Sequence, residues 1–169
     1  ADRPGNVFYD HLPAFQYARK KGIPFTAHSG EARGSGNVWD TLHLFAPSRM
    51  GHGVPCLDRP ELVELIRKKR IHLEVCPTSN IQTNTFDTYA DHPIDELYRL
   101  GVSVGVNTDT RTISNVTLSE EYEKLHRTFG WGSEEFFNCN RNALEAAFIS
   151  EDVRERLMAQ LTEGYQQVI

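Results

Sequence analysis

The sequence predicts an α/β fold on a parallel sheet, and two patterns predict it: four short runs rich in β-branched and apolar residues, and amphipathic stretches with helix-cap chemistry between them. Strands and helices in alternation imply parallel strands joined by crossovers, which leaves a doubly wound sheet or a (β/α)8 barrel as the architecture. A complete barrel needs eight strands and about 250 residues. With four strands visible in 169 residues, a barrel here would be half of one.

The elements follow in chain order. Phe8, Leu12, Phe15 and Ala18 share one helical face, and Gly22 stops that helix. Residues 23–29, 48–53, 71–76 and 102–107 read as the four strands. Asp58 and Glu61 make a capping box ahead of Leu62, Leu65 and Ile66, and the helix ends in the cations Arg67, Lys68, Lys69 and Arg70, which offset its dipole. Pro93 to Leu100 reads as a short helix ended by Gly101. Thr117 and Glu120 form a second capping box for a helix to about His126; Ser133 caps one running to about Phe148, and Ser150 one running to about Tyr165. Residues 1–116 are therefore read as βα units and 117–169 as carboxyl-terminal helices of one partial domain spanning 1–169.

Composition narrows the function. A net charge of −5 and a pI near 5.8 argue against a nucleic-acid partner, which would require clustered Lys and Arg. No run of 18 or more apolar residues and no basic-then-apolar leader is present, so neither a membrane span nor export is encoded in these residues. The three cysteines, Cys56, Cys76 and Cys139, have no C-x-x-C spacing and read as small buried side chains in a reducing compartment. A cytoplasmic location is the expectation, with an extracellular one left open upstream of Ala1.

Four motifs close the four strands: His28-Ser29-Gly30-Glu31, Arg49-Met50-Gly51-His52-Gly53, Cys76-Pro77-Thr78-Ser79-Asn80 and Asn107-Thr108-Asp109-Thr110-Arg111. Singly, each is also what a capped turn or a solvated side chain looks like, and the third is read as a supporting turn whose Asn80 could bond its own backbone. Together they lie at the carboxyl ends of successive parallel strands, the face on which barrel enzymes assemble their sites. A His, a Glu, a second His and an Asp at one mouth are the groups needed to hold a divalent metal, ionise its water and move protons.

In that order and spacing the motifs closely resemble the adenosine deaminase family, over a span from about Gly5 to the carboxyl terminus; Ile81-Gln82-Thr83 and His92-Pro93 look more like the adenosine-directed members than the AMP- or adenine-directed ones. The resemblance implies the carboxyl-terminal half, about strands 5–8, of a (β/α)8 barrel, one Zn2+ at its mouth, and hydrolysis of adenosine or 2'-deoxyadenosine to the inosine product and ammonia. It implies His28 and Asp109 as metal ligands and Glu31 as the group that protonates purine N1. It also implies that His52 orients the attacking water and handles its proton, that the Gly5 backbone N–H contacts purine N3, and that Thr110 is a substrate contact where many members carry a second aspartate. Glu31 would have to be protonated, as a carboxyl buried against an aromatic ligand can be.

Nothing in these residues matches the family's His-x-His, which supplies two further zinc ligands. The resemblance therefore implies a partner segment, the amino-terminal half of the barrel, supplied by a longer natural chain or by self-association; the small-molecule partner is a purine nucleoside. The competing readings are a deaminase of another 6-aminopurine, such as an aminofutalosine or an N6-substituted adenosine, and a non-catalytic half-barrel.

Overall fold

The computed structural model describes residues 8–167. A single 3-10 turn, Phe8–His11, leads into α1, Leu12–Lys20, and Gly22 ends that segment with φ +67°. Strand β1, Thr26–Ser29, is followed by α2, Gly34–Asp40, which runs on as a π-helical turn over Thr41–Phe45; neither had a distinct local signal. Strand β2, Arg49–His52, a 3-10 turn over Val54–Asp58 and α3, Pro60–Lys69, come next. Then follow β3, His72–Val75, α4, Pro77–Gln82, α5, Ile94–Arg99, and β4, Val104–Val106. Helices α6, Arg111–Ser114, α7, Leu118–Phe129, α8, Ser133–Ala146, and α9, Glu151–Gln166, complete the described residues.

All four strands are parallel and pair in sequence order, β1-β2-β3-β4. Among the described residues the order never reverses, so these strands show no topological switch point of the doubly wound kind and are four consecutive staves of a barrel. Each strand is two or three residues shorter than its sequence pattern suggested. Apolar character continues past the last ladder bond because flanking residues such as Ile71 and Val102 are buried beside the sheet without pairing in it.

Several local expectations are corrected by packing. Residues 76–80 are not a turn: Pro77 stands in the first turn of α4, where its missing N–H costs nothing. Asp58 does not cap α3, which starts at Pro60 behind an extended Arg59 with no side-chain cap. Ser133 is the first residue of α8 and not its cap; the backbone N–H of Gly132 donates to Glu135 at 2.8 Å instead. The Thr117–Glu120 box does form, and its helix runs on to Phe129. Arg67, Lys68 and Lys69 sit in the last turn of α3 as expected, and the three cysteines are buried and unpaired.

The two faces of the sheet differ in kind. Met50, Leu73, Val75, Val104 and Val106 join Leu62, Ile66, Leu97, Leu125 and Trp131 in one apolar core. The pairing register places Thr26, Arg49, His72 and Glu74 on the opposite, polar face. Arg49 and Glu74 form an ion pair there, Thr26 donates to Glu74 at 3.1 Å, and the Arg49 guanidinium lies over the Phe148 ring at 4.8 Å. His72 is buried, its Nδ1 is 2.9 Å from Ser103 Oγ, and burial depresses its pKa to about 4.

Buried neutral histidines make the fold sensitive to acid. His72 and His92 both titrate below their ordinary value in the folded chain, at about 4 and about 3, because burial disfavours the charged ring. The unfolded chain therefore binds more protons at these sites below pH 6.5, so stability falls as pH drops from there toward 4, by roughly a factor of ten in the folding constant per pH unit for each ring. Urea unfolding across that range should show this slope, and His72→Gln should remove His72's share; a flat profile would contradict it.

Candidate active site at the strand ends

The site grows out of backbone that leaves the strands abruptly. His52 and Asp109 both have left-handed backbone, at φ +61° and +56°, a conformation that costs a non-glycine residue free energy and recurs where side chains are aimed at a site. Gly30, at φ +92°, turns the chain out of β1; a Cβ there would stand 2.9 Å from Val38 Cγ2. Gly53 has a packing reason rather than a ligand one, since its Cβ would meet Leu73 at 2.9 Å and Met50 at 3.0 Å on the core side. Gly51 does line the cleft, as the flanking-glycine pattern suggested.

Side-chain bonds then hold each segment. Asn37 accepts from Ser29 Oγ at 2.8 Å and from the Gly30 backbone at 3.0 Å, and Thr41 donates to Ser29 at 2.8 Å, so α2 locks the turn that carries His28 and Glu31. Ser79 donates to Asp109 Oδ2 at 2.7 Å. The Thr78 backbone N–H, in the first turn of α4, donates to the fully buried carboxylate of Glu121 at 3.2 Å, and Tyr89 donates to the same carboxylate. Asn80 Nδ2 lies 3.1 Å from His52 Nδ1. The third motif therefore acts on the site through α4, and Asn80 bonds a histidine rather than its own turn.

The four chemistry-bearing residues meet. His28 Nε2 is 3.3 Å from Glu31 Oε2, and His52 Nε2 is 3.9 Å from both Glu31 Oε2 and Asp109 Oδ2. The His28 and His52 rings meet edge to face at 4.6 Å. A cleft of about 410 Å3 opens over them, lined by His28, Gly51, His52, Glu74, Asn107 and Asp109 among others, within the range that holds a small-molecule ligand. Glu31 stands against His28 and His52 and borders a second cleft with Thr85 and Phe86. Thr110 is exposed beside the mouth, its hydroxyl 3.4 Å from Asp109 Oδ1. Gly5 lies outside the described residues.

Among the described residues two donor groups suit a cation, and they share a residue: His28, Glu31 and His52 in one, His52, Cys76 and Asp109 in the other. Imidazole nitrogens with carboxylate oxygens are zinc-type donors. Burial pushes the Cys76 thiol up, which keeps it protonated and a poor ligand. Chemically, the fitting donors are the histidines and carboxylates.

Electrostatics at the mouth depend on what fills it. The hydrogen bond from His28 holds the Glu31 carboxyl below its ordinary value; burial opposes it, while the His52 and His28 charges and the Thr83 hydroxyl add to it. Glu31 is thus ionised in the ligand-free site rather than protonated. Burial depresses His52, with the Glu31 carboxylate pulling the other way. The residues that sequence reasoning missed are Asn37, Glu121 and the bonding role of Asn80. Asn37 and Glu121 carry no local signal, because each acts on a segment distant in the chain.

The adenosine deaminase family model matches residues 1–164. An adenosine deaminase of Shewanella denitrificans is 38% identical over 92% of this chain and 46% of its own length. Among solved structures, an adenine deaminase from Arthrobacter aurescens superposes with a TM-score of 0.91 at 25% identity, over 98% of this chain and 51% of its own. An amidohydrolase from Burkholderia ambifaria with bound Zn superposes at 0.86 and 26% identity, over 98% and 47%. The chain spans about half the length of the curated relatives it matches.

The contact between His28 and Glu31 yields a direct test. In His28→Ala the largest influence lowering Glu31 is gone and burial remains, so the Glu31 carboxyl should titrate at higher pH than in the unaltered chain without metal. A 13C-carboxyl titration followed by NMR reads this; an unchanged or lowered value would overturn the assignment of cause.

Proposed function

The chain belongs to the adenosine deaminase family, and we propose from that premise that, with the remaining barrel strands, it catalyses hydrolytic deamination of adenosine and 2'-deoxyadenosine. The products are the corresponding inosine and ammonia. The observation that supports this most is the meeting of His28, Glu31, His52 and Asp109 at one place, through contacts of 3.3 to 3.9 Å.

His28 and Asp109 would hold the metal, and Ser79 orients the Asp109 carboxylate by occupying one of its lone pairs. When bound, zinc supplies a water whose pKa falls toward about 7, and so a nucleophile for C6 of the purine. His52, buried behind Glu31 and Asp109, orients that oxygen. Glu31 is the group at the rim suited to give a proton to purine N1. It must first be protonated: with His28 Nε2 engaged elsewhere and an aromatic ring over the cleft, burial is the main remaining influence, and it raises the carboxyl. Thr110 stands at the exposed edge as a weaker contact, and the Gly5 backbone N–H is assigned to N3 by resemblance alone.

Two ligands from one chain make a weak zinc site. The other ligands would come from a segment corresponding to the amino-terminal half of the relatives, and the chain by itself is then inactive. A second reading, a deaminase of another 6-aminopurine, is favoured by the likeness to the adenine deaminase.

Ultraviolet assay of this chain, alone and mixed with a polypeptide corresponding to the amino-terminal half of a curated relative, in zinc, tests both readings. The mixture should convert adenosine and the lone chain should not, and Glu31→Gln should slow the mixture by about 10²- to 10⁴-fold. A zinc-loaded mixture that leaves adenosine intact but deaminates adenine or an N6-substituted adenosine moves the substrate to the second reading. One that deaminates none of them sinks the enzymatic reading.

A further inference from the structure

His52 presents Nε2 to the mouth and turns Nδ1 into the protein, where three further groups form a chain of contacts. Asn80 Nδ2 lies 3.1 Å from His52 Nδ1, Asn80 Oδ1 lies 3.2 Å from His92 Nε2, and the backbone N–H of Ile94 meets His92 Nδ1 at 3.2 Å. His52, Asn80 and His92 are all buried, so their polar atoms need partners within the protein.

The protons along this chain are determined from its inner end. A backbone N–H can only donate, so His92 Nδ1 must offer a lone pair to Ile94. The neutral His92 ring then carries its proton on Nε2 and donates it to Asn80, which must present its carbonyl oxygen on that side. The amide's NH2 therefore faces His52, and His52 Nδ1 is the acceptor. Reversing the Asn80 amide would require His92 to accept at both nitrogens, which a neutral imidazole cannot do. Burial favours the neutral state of His92.

We propose that Asn80 and His92 are positioning residues that hold neutral His52 as the Nε2–H tautomer, with its proton aimed into the cleft between Glu31 and Asp109. This deepens the deaminase reading and rests on it for the reaction, though not for the tautomer. The neutral His52 ring enters the site as a hydrogen-bond donor. It can hold an anionic or lone-pair oxygen in place, but it cannot accept a proton at Nε2. The anchor is the first turn of α5: Pro93 precedes Ile94, and its ring restrains the segment that sets the Ile94 N–H.

The experiment is long-range 1H–15N correlation NMR on the 15N-histidine-labelled full chain without metal, at a pH where both rings are neutral. His52 and His92 should each give the Nε2–H pattern. Asn80→Asp puts an acceptor against Nδ1, and His52 should switch to the Nδ1–H pattern while His92 stays folded in place. An Nδ1–H pattern for His52 in the unaltered chain, which needs no variant to fold, overturns the proposal. So does a folded Asn80→Asp chain that keeps Nε2–H. Because the readout is a ring nitrogen shift, an inactive mixture with Nε2–H sinks only the deaminase reading, and an active one with Nδ1–H sinks only the tautomer assignment.

Discussion

Parallel pairing in register is the constraint from which the rest of this structure follows. Thr26 opposite Arg49 and Ser29 opposite His52 bring the end of β1 level with the end of β2, and the same stagger carries through β3 to β4. Side chains alternate between faces along a strand, so slipping one pairing by a residue would exchange the polar face for the apolar one. His28 would then leave the cleft and Leu73 would leave the core. The apolar core therefore enforces the register, and the register delivers the site.

Around the mouth lies a second layer of buried polar contacts that holds turns rather than strands. Asn37 ties the turn after β1, Ser79 ties Asp109, and Glu121 receives the first turn of α4. Each joins parts of the chain far apart in sequence. Buried polar groups of this kind are costly when left unpaired, so the layer is rigid when complete. That rigidity maintains the left-handed backbone at His52 and Asp109, which local preference alone would not keep.

Charge balance at the rim follows from burial and distance. Glu31 sits against two imidazoles and is held ionised by the nearer, whereas His52, the more buried of the two rings, is held neutral by the loss of water. A carboxylate and a neutral imidazole 3.9 Å apart are a resting state with capacity in both directions. Covering the cleft strengthens burial for Glu31, which favours its protonated form. The polar face of the sheet, with the Arg49–Glu74 pair beneath the mouth, extends this electrostatic environment toward the barrel interior.

The amino-acid sequence by itself determined what depends on near neighbours in the chain: alternation of strand and helix, the Thr117–Glu120 cap, the basic last turn of α3, and the four motifs at the strand ends. Those features are legible because periodicity and capping act within one helical turn or one strand. Tertiary structure alone decided the rest. That Asn80 bonds a histidine, that Glu121 seats α4, that Ser133 yields its cap to Gly132 and Glu135, and that Glu31 rests ionised are all outcomes of contacts between segments. The physical reason is one of range: a hydrogen bond or a desolvation cost takes its value from whatever lies within a few ångströms in space, and only the folded sheet brings positions 28, 52, 80 and 109 within that reach.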